Sequence, residues 1–143
     1  MAIYRVLAVF VAVVCVSSAS ADQRDSGAAA AGDISRGKYI VEGVAHCWTC
    51  HTPRDQQGQP DRQRWLLGGP VPYAPARPTD GWAEVAPRLA GTPPGTDDQI
   101  VTLLTTGISR NGRPPRSPMP QFRMTRSDAE AVLAYLKSVP ARE

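Results

Sequence analysis

A small all-α domain, about three to five helices with long loops wrapped around one large bound group, is the fold this sequence predicts. Three observations carry that expectation. Three segments of the 143-residue chain combine helix caps with helical apolar spacing. The stretch between Cys50 and Thr96 is rich in Pro, Gly and Arg and has no strand alternation. The apolar stock is thin, with Phe122 the one phenylalanine beyond residue 21. A connection that long and that irregular suits a small domain only when it wraps something other than itself.

The first helix is expected over Ile34–Glu42, capped by Asp33, with Tyr39, Ile40 and Val41 as apolar residues and Gly43 as the stop. The second starts at Thr96, where Gln99 three residues later completes a capping box. Ile100, Val101, Leu103 and Leu104 form its apolar face, and Gly107 ends it. Thr125 caps the third, with Asp128 in its first turn. Ala129, Val132, Leu133 and Leu136 recur at helical spacing until Pro140.

Residues 1–21 read as a signal peptide: one charge at Arg5, an apolar core Val6–Val16, and the small-x-small site Ala19-Ser20-Ala21. That core falls short of the roughly 20 residues a membrane-spanning helix needs, so cleavage is expected over retention as an anchor. Val14 ahead of Cys15 excludes a lipoprotein signal. Residues 22–32 read as a flexible linker and 33–143 as the folded domain. The whole chain carries a formal charge of +3; without residues 1–21, fifteen bases face thirteen acids, which leaves +2. The expected location is the periplasm, with no transmembrane segment after cleavage. Nucleic acid is not an expected partner there.

Of three cysteines, Cys15 leaves with the signal, so the mature chain keeps Cys47 and Cys50. A bridge across so short a loop would add little stability. Cys47-Trp48-Thr49-Cys50-His51 is instead the Cys-x-x-Cys-His pattern of covalent haem attachment. Two thiols one helical turn apart reach the two vinyl groups of a single porphyrin, and the next imidazole falls under the iron. Three other uses of the pair compete. A thioredoxin-like pair expects a βαβ setting, which is missing. A zinc site needs four ligands, and His46 is the one other histidine. A plain disulfide leaves His51 without a purpose. The expected cofactor is therefore one haem c, covalent through Cys47 and Cys50, with its iron on His51.

A second axial ligand of the methionine type suits electron transfer. Met119 and Met124 are the candidates. Met119 stands between Pro118 and Pro120, which stiffen the loop and aim the thioether. Met124 lies against the Thr125 cap and reads as core. His46 competes too, but beside the tethered Cys47 it has no reach across the ring. Met119 is the expected ligand.

Gly37-Lys38-Tyr39-Ile40-Val41, the Cys47–His51 motif, Met119-Pro120 and Ala134-Tyr135-Leu136 together resemble a class I cytochrome c. Tyr39-Ile40-Val41-Glu42-Gly43 with Cys50-His51-Thr52-Pro53-Arg54 is similar to cytochrome subunits of bacterial membrane alcohol and sugar dehydrogenases. Those subunits usually carry three such motifs and this chain has one, which points to a stand-alone carrier or a small subunit. The resemblance covers nearly all of residues 33–140. It implies a fold in which the first and last helices cross at a small residue, here Gly37 against Tyr135. It also implies that His51 Nδ1–H donates to a backbone carbonyl, for which Pro60 and Pro70 are candidates. Leu89, in Ala86-Pro87-Arg88-Leu89-Ala90-Gly91, resembles the haem-packing leucine of the family.

Trp48, Trp65, Tyr73, Trp82 and Leu89 are candidates to line the haem pocket, with Trp48 and Leu89 taken as cofactor-binding. Arg110, Arg113, Arg116, Arg123 and Arg126 surround Met119, and no acid occurs from Gln99 to Ser127. They read either as a solvated basic loop or as a docking face for acidic partners. The function expected is one-electron transfer between redox partners, a dehydrogenase or a terminal oxidase among them, without catalysis. The alternative is a haem enzyme or ligand-binding sensor with an open iron position.

Overall fold

The computed structural model describes residues 33–141, and the expected signal peptide and linker lie outside them. Helix α1 occupies residues 33–39 and continues into a wider π-helical turn, Ile40–Val44. Asp33, expected as the cap, is itself already helical. Gly43 is not the stop. Ala45 N–H donates to the Ile40 carbonyl at 2.7 Å and Cys47 N–H to the Val41 carbonyl at 3.0 Å. The left-handed residue that ends the turn is His46, with φ 48°. A single helical turn, α2 (Trp48–His51), follows at once.

The expected all-α fold is the fold observed, with one small addition. A short 3-10 turn at Arg62–Arg64 precedes β1 (Gly69–Pro70), which pairs antiparallel with β2 (Val85–Ala86). Strands of two residues are too short for alternation to show in a sequence. Apart from an isolated antiparallel bridge between Arg54 and Pro60, the rest of the segment from 52 to 95 is irregular.

Helices α3 (Asp97–Thr106) and α4 (Arg126–Ser138) agree with the pattern reading nearly to the residue. Thr96 and Gln99 form the reciprocal capping box, and Gly107 closes α3 at φ 65°. Thr125 accepts from Asp128 N–H at the start of α4. Val101 and Leu104 of α3 share one core with Ile40 and Val41 of α1 and with Ala129, Val132, Leu133, Tyr135 and Leu136 of α4. Burying each large aliphatic side chain contributes roughly 1.5–3 kcal/mol.

Helices α1 and α4 cross at Gly37. A Cβ built there would lie 1.9 Å from the Ala131 carbonyl oxygen and 2.8 Å from Tyr135 Cβ. The backbones touch because nothing stands between them. Tyr135 also donates its phenol to Glu42 Oε1 at 2.5 Å, which ties the end of α1 to α4. Burial first, and that bond second, push the phenol up to about 12, so Tyr135 stays a donor at neutral pH.

Candidate functional site

The π-helical end of α1 delivers Cys47 directly to α2. Cys47 takes the N-cap position, and its carbonyl accepts His51 N–H at 3.0 Å, so both thiols and the imidazole ride on one turn. Both cysteines are unpaired and half-buried. Burial pushes the Cys47 thiol up to about 11. The Cys50 Sγ lies 3.1 Å from the Tyr73 hydroxyl.

His51 is 7% exposed. Its Nδ1 lies 2.7 Å from the carbonyl oxygen of Pro87 and donates to it. The acceptor is thus Pro87, and not Pro60 or Pro70. A carbonyl can only accept, so Nδ1 carries the proton and Nε2 keeps the lone pair. Burial lowers the pKa of the ring, against the bond to Pro87, so the imidazole is neutral at physiological pH and ready to ligate a metal.

Gly68 brings these two segments together, and sequence reasoning missed it. Its N–H donates to the His51 carbonyl at 2.8 Å. A Cβ on it would sit 2.6 Å from Arg88 N and 2.7 Å from the Ala86 oxygen, and its φ of +77° is one that side chains resist. The Gly68-Gly69 pair was the available signal. Pro87 was in view as well, but beside Leu89 rather than as an acceptor 36 residues from its donor.

Trp48 turns towards Trp65, stacking at 5.8 Å and 20°, and gives its indole N–H to the Glu42 carbonyl at 3.1 Å. Leu89 is half-buried against the core, with its N–H on the Leu66 carbonyl at 2.8 Å. Tyr73 and Trp82 pack edge to face at 6.2 Å, beside Cys50. Met124 packs against the hydrophobic core, whereas half-buried Met119 stands apart from it, in a turn where its N–H meets the Arg116 carbonyl at 3.1 Å. Among the described residues no group of three His, Cys, Asp or Glu side chains could hold a metal ion, so a zinc site at the cysteines lacks its ligands.

The five arginines divide by their partners. Arg116 donates to backbone carbonyls, Arg123 to the Phe122 carbonyl, and Arg126 pairs with Glu130 at 2.8 Å. Arg110 and Arg113 are exposed, with no side-chain partner among the described residues.

Two unpaired thiols on one turn, followed by a buried imidazole with Nε2 available, suit a covalently held haem. The sequence matches the cytochrome c family over residues 34–140. The chain belongs to that family. The work of such a domain is electron transfer, and the haem it implies is the covalent c type. Among relatives, a diheme cytochrome of the c type from Cereibacter sphaeroides is 37% identical over 117 residues, covering 76% of this chain and 36% of its own. The cytochrome c subunit of a quinone alcohol dehydrogenase from Gluconacetobacter polyoxogenes is 34% identical, over 76% of this chain and 25% of its own. The fructose dehydrogenase cytochrome subunit of Gluconobacter japonicus is 29% identical, over 77% and 23%. The cytochrome therefore spans about a quarter to a third of the length of these relatives. Among its described residues no helix is long and apolar enough to cross a membrane.

Proposed function

We propose that this cytochrome is a single-haem electron carrier of the periplasm, with haem c on Cys47 and Cys50 and the iron between His51 and Met119. The arrangement of His51 carries the reading: Nδ1 is committed to the Pro87 carbonyl, which presents a neutral, immobile Nε2. When bound, the haem supplies a centre that gains or loses one electron. The chain's own residues hold it, exclude water and keep the imidazole in one tautomer. One Cys-x-x-Cys-His motif in the sequence supports one haem, and residues 1–21 support export. The dehydrogenase subunits among its relatives support a dehydrogenase as partner, with the cytochrome acting as a free carrier or a small subunit.

Met119→Ala tests the ligation in the matured protein. It should remove the weak far-red thioether band, lower the midpoint potential and admit carbon monoxide. Met124→Ala should chiefly reduce stability, because Met124 belongs to the core. If the band survives Met119→Ala and is lost in Met124→Ala, the ligand is misassigned. A wild type that binds carbon monoxide at once favours a sensor or an enzyme with an open position.

Docking of an acidic partner rests on Arg110 and Arg113. Reversing both to Glu should slow bimolecular electron transfer at low salt and leave the spectrum unchanged. The effect should fade with added salt, as the Debye length falls from about 30 Å at 0.01 M to about 10 Å at 0.1 M. Rates insensitive to both salt and substitution would mark the arginines as merely solvated.

A further inference from the structure

Between β1 and β2 the chain leaves the core as a strap, residues 71–84, closed at its base by Val71 N–H on the Glu84 carbonyl at 2.8 Å. The strap is tied to the loop that carries Met119. Arg116 Nε donates to the Gly81 carbonyl at 2.9 Å, and Arg116 Nη2 donates to the carbonyl of Trp82. Beside them, Ala83 N–H donates to the Ser117 carbonyl at 2.7 Å. A guanidinium is a rigid fork, so two successive carbonyls fix its orientation as well as its position. Gly81, at φ +76°, makes the turn from which both carbonyls converge.

The strap is also held from its other side. The Trp82 ring meets Tyr73 edge on, and the Tyr73 hydroxyl reaches Cys50 Sγ. Contacts thus run without a gap from the attachment cysteine through Tyr73, Trp82 and Arg116 to the turn that Arg116 and Met119 close with their own backbone bond.

We propose that Arg116 is a positioning residue for the second axial ligand: by clasping the strap it holds the 116–119 turn so that Met119 stays on the iron. The assignment rests on His51/Met119 ligation. It gives Arg116 a role in the isolated protein, in contrast to a charge that acts only when a partner approaches.

The test uses the full chain matured with its haem, in the absence of any partner. Arg116→Leu, which removes both donors without adding a thioether, should weaken the thioether band and lower the midpoint potential. It should also raise the fraction of protein open to carbon monoxide about tenfold, the equivalent of about 1.4 kcal/mol and within the worth of one hydrogen bond from a charged group. Arg116→Lys should restore part of each signal, since an ammonium still donates but lacks the fork. Arg126→Met, which breaks only an exposed pair on α4, should change none of them. If Arg116→Leu does not accumulate, Arg116→Lys and Arg116→Ala carry the same comparison. A wild type with the thioether band and an Arg116→Leu variant that matches it in band, potential and carbon monoxide binding would overturn the proposal alone. A wild type without the band, unaltered by Met119→Ala, would overturn the ligation reading and the proposal together.

Discussion

Gly37→Ala should strongly destabilise the cytochrome, although helix propensity by itself predicts the opposite. Gly37 lies within α1, where alanine is favoured over glycine by about 1 kcal/mol. Against that stands a Cβ placed 1.9 Å from the Ala131 oxygen and 2.6 Å from the Ala131 carbonyl carbon. These are backbone atoms of α4, so no rotamer change relieves the clash and the helices must separate. Overpacking of this kind costs about 1–3 kcal/mol, occasionally more, and here the upper end is expected because the obstacle is rigid. That is a large share of the roughly 5–15 kcal/mol that stabilises a domain. Urea unfolding of the haem-loaded protein is the measurement. Ala131→Gly should not rescue Gly37→Ala, since it removes a methyl group and leaves the obstructing carbonyl. A Gly37→Ala variant as stable as wild type would show that the crossing is looser than described.

Replacing both Cys47 and Cys50 by Ala should abolish covalent haem. Each single substitution should weaken attachment, with Cys47→Ala the more damaging, because Cys47 also packs against the core and Cys50 does not. The consequences should extend past the cofactor. Residues 52–95 hold one two-residue strand pair, one isolated bridge between Arg54 and Pro60 and one short 3-10 turn, so little regular hydrogen bonding keeps them in place. Without haem this segment should exchange its amide protons far faster than α3 and α4, which share their own buried core. Haem-stained denaturing electrophoresis reads the attachment, and hydrogen exchange reads the segment. A folded, colourless wild type produced with the maturation machinery would overturn the attachment reading.

The contrast between α3 and the end of α1 shows what a sequence discloses. Helix α3 begins and ends with local chemistry: Thr96 and Gln99 bond to each other's backbone, and Gly107 supplies a left-handed residue at no steric cost. Each signal lies within a few residues of what it controls. Helix α1 ends through a π-helical turn, and its left-handed residue is His46, a weaker stop signal than glycine. The site divides along the same line. Cys47, Cys50 and His51 fall within five consecutive residues, and their place on one turn is legible from that spacing. The Pro87 acceptor is 36 residues from His51, and the carbonyls of Gly81 and Trp82 are 35 and 34 from Arg116. Those distances in sequence are closed by the irregular strap, for which no periodicity exists to be read. Arg116 was visible only as a charge, because a guanidinium that serves backbone carbonyls looks in sequence like one that faces water.

The bond between His51 and Pro87 bears on how fast an electron can move. An electron jumps only when its surroundings already suit both the charge it leaves and the charge it creates, so each atom that must relocate slows the event. Pro87 has a φ fixed by its ring, and the backbone around it abuts Gly68, whose own N–H is held by the His51 carbonyl. Donor and acceptor therefore belong to one closed loop of contacts, and the imidazole has no free axis about which to turn. If His51 holds the iron as proposed, a ring so held would keep its place as the charge beside it changes. The reorganisation left to such a site would then arise from the loop that carries Met119, from solvent and from the partner.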